Sequence, residues 1–246
     1  MLKYNETNWQ NKEGFKTQRY QVSFNEVKSH SAIEEQKERT ERLSLVKFFI
    51  GSHHSLFLDI CTNFKKNDDC FYFDKSKKFH CTLLGFPVVE PFYYDAIMQR
   101  ITQYIQVTKE ILEIQFDTIR LGTKYEDDDT LKPISGVSNG TIIAYGDGPR
   151  NNRFTTFANN LVTFLSTDEK MDSVLGSKFR RRFPGTWCTM GYYTRDFKIT
   201  SRLERLFNQY KGLRSEDFLF PCTELELGTS HYKDLRDWKP IHKFII

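Results

Sequence analysis

A short pattern occurs twice in this chain: FHCTLLGF at residues 79–86 and TWCTMGYY at residues 186–193. Each copy carries Cys-Thr followed shortly by Gly and an aromatic residue. A second match keeps the same register. LGTKYEDDDTLKPI begins at Leu121 and LGTSHYKDLRDWKPI at Leu227, which is 41 positions after His80 and 40 after Trp187. Either match alone is short and built from common residues. Two matches holding one spacing indicate an internal duplication, in which Trp187 stands where the first copy has His80. With 246 residues the chain can bury one substantial core or two small ones, so one bilobal domain and two domains both fit the length.

The chain divides into a polar extension and two similar halves. Residues 1–42 end in EEQKERTER, a run without an apolar stripe that reads as a solvated helix or arm. Residues 43–149 form the first unit. LSLVKFFI is a short β-rich run closed by Gly51 and Ser52, and Leu56, Ile60 and Phe64, flanked by Phe57 and Cys61, recur at helical spacing. FHCTLLGF is the next strand; Pro91 then opens a helix with Ile97, Ile101, Tyr104 and Ile105 on one side. LEIQFDTIRLG and GTIIAYG are further strands, separated by the acidic loop that holds EDDD. Residues 150–246 run through a similar order. Phe154, Phe157, Leu161, Phe164 and Leu165 mark an amphipathic helix, TWCTMGYY a strand, and Ser201 with Glu204 a capping box before the stripe Leu203, Leu206, Phe207 and Tyr210. TELELG and HKFII close the chain. The fold class expected is α+β: a pseudo-two-fold duplication of two small sheets, each covered by helices on its outer face.

Composition narrows the function classes. Aromatic residues make up 15% of the chain, 22 of them Phe, which argues for a packed interior. No stretch approaches the ~20 apolar residues of a membrane span, and the N-terminus lacks the apolar segment of a secretory signal. Five Cys residues, none at CxxC or zinc-finger spacing, are expected as reduced thiols of a cytoplasmic protein. The net charge of +4 allows an anionic ligand without pointing to bulk DNA binding. No cofactor, metal ligand set or membrane contact is expected, EDDD reads as a solvated loop, and the chain is expected to act as a monomer.

Strand alternation supplies the chemistry. His80 and Thr82 share one face of their strand and Cys81 the other; Trp187, Thr189, Gly191, Tyr193 and Arg195 are expected on the corresponding face of the second strand, with Cys188 behind. Cys81 and Cys188 then read as small core residues rather than nucleophiles. A His and a hydroxyl on one face can move a proton near neutral pH and hydrogen-bond a phosphoryl oxygen. The loops before both motifs are basic: Lys75, Lys77 and Lys78 precede His80, and Lys178, Arg180, Arg181 and Arg182 precede Trp187. Each is either a solvated charge run or an anion-binding rim.

His80-x-Thr82 on a strand, with a counterpart about a hundred residues on, resembles the motif of the two-histidine (2H) phosphoesterase superfamily, which includes the LigT-like RNA ligase and cyclic phosphodiesterase proteins. The resemblance spans residues ~43–246 by element order and is specific only at the two motif strands. It implies a bilobal fold, two antiparallel sheets facing a central cleft with one His-x-Thr/Ser in each, one His acting as base towards water and the other as acid towards the leaving oxygen of a 2′,3′-cyclic phosphate or similar diester. Carried over, His80, Thr82 and Thr189 are the catalytic positions, and Trp187 departs from the pattern. Indole Nε1–H is a donor only and cannot serve as acid or base. The function implied is recognition of a nucleotide or RNA-end phosphodiester with hydrolysis weakened or absent. Trp187, Tyr193, Arg195, Lys78 and Arg182 are the expected substrate-binding residues. The alternatives are a non-catalytic nucleotide- or RNA-binding module, or a protein-interaction module, on the same fold. Other histidines, His231 above all, and Tyr193 are the candidates for a substitute acid.

Overall fold

A computed structural model describes residues 26–28, 40–76, 78–125, 133–146, 151–179, 185–211, 213, 216–231 and 235–246. The run read as a strand forms β2 (Arg42–Phe48), with Leu43 and Leu45 buried on one face. Gly51 follows at φ 59°, a left-handed conformation that L side chains adopt at a cost, and turns the chain into helix α1 (Ser52–Asn67). That helix buries Phe57, Ile60, Cys61 and Phe64, an i, i+3, i+4, i+7 stripe. After β3 (Phe71–Tyr72) comes motif strand β4 (His80–Gly85). Pro91 starts a 3-10 turn that leads into α2 (Tyr94–Thr108), whose buried residues are Ile97, Ile101 and Tyr104.

The run LEIQFDTIRLG breaks at Phe116-Asp117 into β5 (Leu112–Gln115) and β6 (Thr118–Tyr125). Next come β7 (Pro133–Gly146), α3 (Asn151–Leu165), α4 (Glu169–Phe179) and the second motif strand β8 (Thr186–Tyr193). Strand β9 (Phe197–Lys198) precedes α5 (Ser201–Asn208). The cap of α5 lies one residue before the expected capping box: Thr200 Oγ1 accepts from Leu203 N at 3.3 Å. β10 (Leu219–Cys222), β11 (Glu224–Ser230) and β12 (Lys239–Ile245) complete the chain. The EDDD loop and most of residues 1–42 lie outside the described residues, but Glu26–Val27 form β1, parallel to β7 and antiparallel to β9.

The protein is thus a mixed α+β structure with antiparallel sheets, the β1–β7 pair being parallel. One sheet has the order β12-β11-β2-β4; a second has β3-β8-β7-β1-β9, with β6 also on β7; β5 and β10 form a short pair. A division at residue 149/150 follows neither large sheet. The strand that closes each repeat lies in the sheet of the other motif: β6 reaches β8 through β7 (Leu121 opposite Ile142, Ile142 opposite Gly191), and β11 reaches β4 through β2 (Leu227 opposite Leu45, Leu45 opposite Leu84). Periodicity identifies strands but not their partners, so it predicts contiguous halves where the chain in fact exchanges its return legs. One core underlies both large sheets, joining Leu45, Cys81 and Leu83 to Ile142, Cys188 and Met190 and to the inner stripes of α1, α2 and α3. Cys81 of β4 and Cys188 of β8 both point into that core, so by alternation His80 and Thr82, and Trp187 and Thr189, face away from it.

Candidate active site

The two motif strands match pair for pair. In the first sheet Phe48 lies opposite His80, Lys47 opposite Cys81 and Val46 opposite Thr82; the register then slips, so that Leu45 meets Leu84. In the second, Tyr145 lies opposite Trp187, Ala144 opposite Cys188 and Ile143 opposite Thr189; the register then slips, so that Ile142 meets Gly191. Each strand thus has one extra residue, Leu83 or Met190, directly after its Thr. The strands adjoin at their starts, where the Cys81 thiol donates to the Trp187 carbonyl at 3.1 Å.

His80 is 8% exposed, edge-on to Phe48 with ring centroids 5.9 Å apart. Its Nδ1 lies 2.9 Å from the Lys78 carbonyl. A carbonyl only accepts, so Nδ1 carries the hydrogen, and Nε2 is the nitrogen at which the ring takes up or releases a proton. Thr82 and Thr189 are both partly exposed. Trp187 presents its indole with 36% exposed. Behind them, burial, and then the neighbouring Cys188 and Cys222, hold Cys81 well above the ordinary thiol range. It stays a thiol, as expected of a core residue.

Two expected binding residues lie elsewhere. Tyr193 is 0% exposed and packs its ring on Phe71 and Phe197 in the core. The bulge at Met190 reverses the alternation, so Gly191 and Tyr193 face inward and Tyr192 takes the outward place. Burial, and then Asp68 and Cys70, raise the phenol far above its usual range, which removes it as a proton donor. Arg195 is exposed beside Cys70, beyond the far end of β8. Lys78 is placed near His80, its Nζ 5.7 Å from the Phe48 ring centroid. Arg182, with Arg180 and Arg181, lies outside the described residues.

The other candidate histidines have separate tasks. His53 sits on the Phe220 ring, and burial, and then Lys47, lower its pKa; His54 packs on Phe79 and His242 on Phe244. His231 Nδ1 lies 2.8 Å from Asp237 Oδ2, at the Arg42 end of β2 rather than the His80 end. Among the described residues no group of three or more His, Cys, Asp and Glu is placed to hold a metal ion, and no helix is long and apolar enough to cross a membrane.

The faces of His80 and Trp187 also carry residues not expected from the sequence. Trp238 covers Phe48 with centroids 5.4 Å apart, and its Nε1 donates to Glu226 Oε2 at 3.2 Å. On the other sheet the Arg120 guanidinium lies 4.2 Å from the centre of the Tyr145 ring. Arg120 and Glu226 immediately precede the repeated Leu-Gly-Thr, so the second repeat already aligned them in the sequence.

No family model matches this chain, and no curated protein matches it. Similar solved structures include one described as a phosphoesterase, at 11% identity, TM-score 0.48, covering 84% of this chain and 99% of that one. The protein TT0787 of Thermus thermophilus is 13% identical, TM-score 0.45, covering 83% and 97%. Kluyveromyces marxianus Usb1 with uridine monophosphate is 12% identical, TM-score 0.46, covering 84% and 97%.

Proposed function

We propose that this chain is a protein of the 2H phosphoesterase type that recognises a nucleotide or RNA-end phosphodiester, with proton transfer confined to His80. The observation that carries the reading is the matched register and bulge of β4 and β8, which give His80-x-Thr82 and Trp187-x-Thr189 equivalent places on adjoining strands. A diester bound between the strands receives hydrogen bonds from Thr82 and Thr189 on its non-bridging oxygens. Nε2 of His80, with Nδ1 held by the Lys78 carbonyl, takes a proton from attacking water or gives one to the leaving oxygen. In-line displacement puts those two oxygens on opposite sides of phosphorus, and one imidazole serves one of them. The indole of Trp187 donates a hydrogen bond but no proton. Lacking the second group costs ~10²–10⁴-fold in rate.

The exposed indole favours a second reading, binding without turnover, in which Trp187 stacks on a nucleobase at ~1–3 kcal/mol per contact. Both are tested by thermal stabilisation and product formation with 2′,3′-cyclic nucleotides and short RNAs ending in a cyclic phosphate. At about a hundred times Kd the ligand stabilises the native chain by ~2.7 kcal/mol, and Thr82→Ala with Thr189→Ala reduces that gain. Slow turnover abolished by His80→Ala supports the enzyme; binding with no turnover supports the second reading. A chain that neither binds nor turns over any of these ligands is an interaction module, and the proposal fails.

A further inference from the structure

The two halves of the cleft share a geometry but not a charge. Ile143 stands between Thr189 on β8 and Arg120 on β6, in one row across three strands; Val46 stands between Thr82 on β4 and Glu226 on β11 in the equivalent row. Residues directly opposite in antiparallel strands share a face. Arg120 therefore lies on the face of Thr189 and Trp187, and Glu226 on the face of Thr82 and His80. Neighbouring strands are ~4.8 Å apart, so each charged residue starts two strands, ~10 Å, from its Thr.

The two charges are held differently. Glu226 accepts from the indole of Trp238, and Lys243 lies opposite it on β12. Arg120 rests its guanidinium on the Tyr145 ring, and Tyr145 is the strand neighbour of Trp187. Nε of Arg120 is buried with no hydrogen-bond partner, and among the described residues no carboxylate pairs with the guanidinium. A half-buried guanidinium without a counter-charge is expensive to desolvate unless an anion completes it. Its planar fork suits the paired oxygens of a phosphate, and stacking on Tyr145 limits the freedom lost on binding one.

We propose that Arg120 is the anion anchor of this cleft and, opposed by Glu226 at the equivalent position, makes a phosphorylated nucleotide bind in one orientation. The phosphoryl oxygens then lie towards β6–β7–β8, the base is placed on Trp187, and His80 faces the oxygen that exchanges a proton. The inference rests on the proposed function and adds the direction of binding.

The test uses the full chain titrated calorimetrically with uridine 5′-monophosphate, uridine and inorganic phosphate, at low and moderate salt, for the native protein, Arg120→Met, Arg120→Lys, Arg120→Glu and Thr189→Ala. Each variant is first checked for native circular dichroism and melting. The native chain is expected to bind the monophosphate more tightly than uridine. Arg120→Met weakens the monophosphate by about tenfold or more and leaves uridine within about twofold, the loss expected for a hydrogen-bonded charge. Arg120→Lys recovers part of the loss, and Arg120→Glu exceeds it. If Arg120→Met binds the monophosphate as the native chain does while Thr189→Ala weakens it, the anchor is wrong and the functional reading stands. If the native chain binds neither nucleoside nor nucleotide, both fail. Equal losses for uridine and the monophosphate assign Arg120 to packing of the Tyr145 platform and overturn its role as an anion anchor.

Discussion

Replacing Trp187 by His tests the proposed site directly, because position 187 is the counterpart of His80 in strand register. His80 is oriented by the carbonyl of the residue two before it, Lys78. The residue two before position 187 is Gly185, whose carbonyl is the counterpart of that of Lys78 by position. Thr189 already lies two residues on, opposite Ile143 as Thr82 lies opposite Val46. The structural cost is small because the indole is 36% exposed. The smaller ring buries roughly 60 Å² less apolar surface, about 1.5 kcal/mol, or a fall in melting temperature of roughly 3–6 °C for a chain of this length. Supplying the missing acid or base should raise hydrolysis of a 2′,3′-cyclic nucleotide by ~10²-fold or more, equivalent to ~2.7 kcal/mol of barrier. The assay is product formation by chromatography across pH. The native chain should show one ionisation limb and Trp187→His a bell, since two groups then act in opposite protonation states. Adding His80→Ala should return the rate to near the starting value, as groups that act as a unit are non-additive. A native protein that already shows a bell, or a Trp187→His protein that folds and gains nothing, would refute the account of position 187.

Tyr193→Phe should leave nucleotide binding and turnover unchanged, and melting unchanged or slightly higher, because the lost hydroxyl is buried without a hydrogen-bond partner; a fall in activity would return Tyr193 to the site. Gly191→Ala should cost ~1–3 kcal/mol in denaturant unfolding, since a Cβ there would come 2.3 Å from Phe71 Cζ and 2.7 Å from the Tyr72 carbonyl; an unchanged midpoint would refute the close approach. Burial alone would raise Asp237, but its hydrogen bonds from Ser230 and His231 more than offset this and hold the carboxyl below its usual value. Its contribution to stability is therefore complete above the ordinary Asp range, about pH 4, and is lost as pH falls through the lower folded value. Asp237→Asn should destabilise at neutral pH and converge with the native chain in acid; a gap that persists in acid would count against this. Ala at Arg180, Arg181 and Arg182 should weaken short-RNA binding and make its salt dependence shallower; an unchanged slope would assign that run to solvated charge.

The amino-acid sequence by itself determined the local elements and the correspondence between the repeats. Helix stripes such as Ile60 and Phe64, and the β-rich runs around Leu45, Cys81 and Cys188, follow from residue periodicity, which is a local property; tertiary packing set the buried face of α1 through Phe57 and Cys61 rather than Leu56. The equivalence of His80 and Trp187 follows from two matches at nearly equal spacing, with no need of coordinates. Tertiary structure decided which strands pair. Nothing in the composition of β7 or β11 distinguishes pairing within one half from pairing with the other, because a strand's hydrogen-bonding groups are the same for any partner. It also decided where alternation breaks. The bulge at Met190 depends on the partner strand β7 and on Phe71 closing against Gly191, contacts made by residues far away in the chain. That one extra residue turned Tyr193 from the cleft to the core. Arg120 was equally illegible as a site residue: its position before Leu-Gly-Thr aligned it with Glu226, but only the β6–β7–β8 pairing set it in the row of Thr189, two strands from the motif.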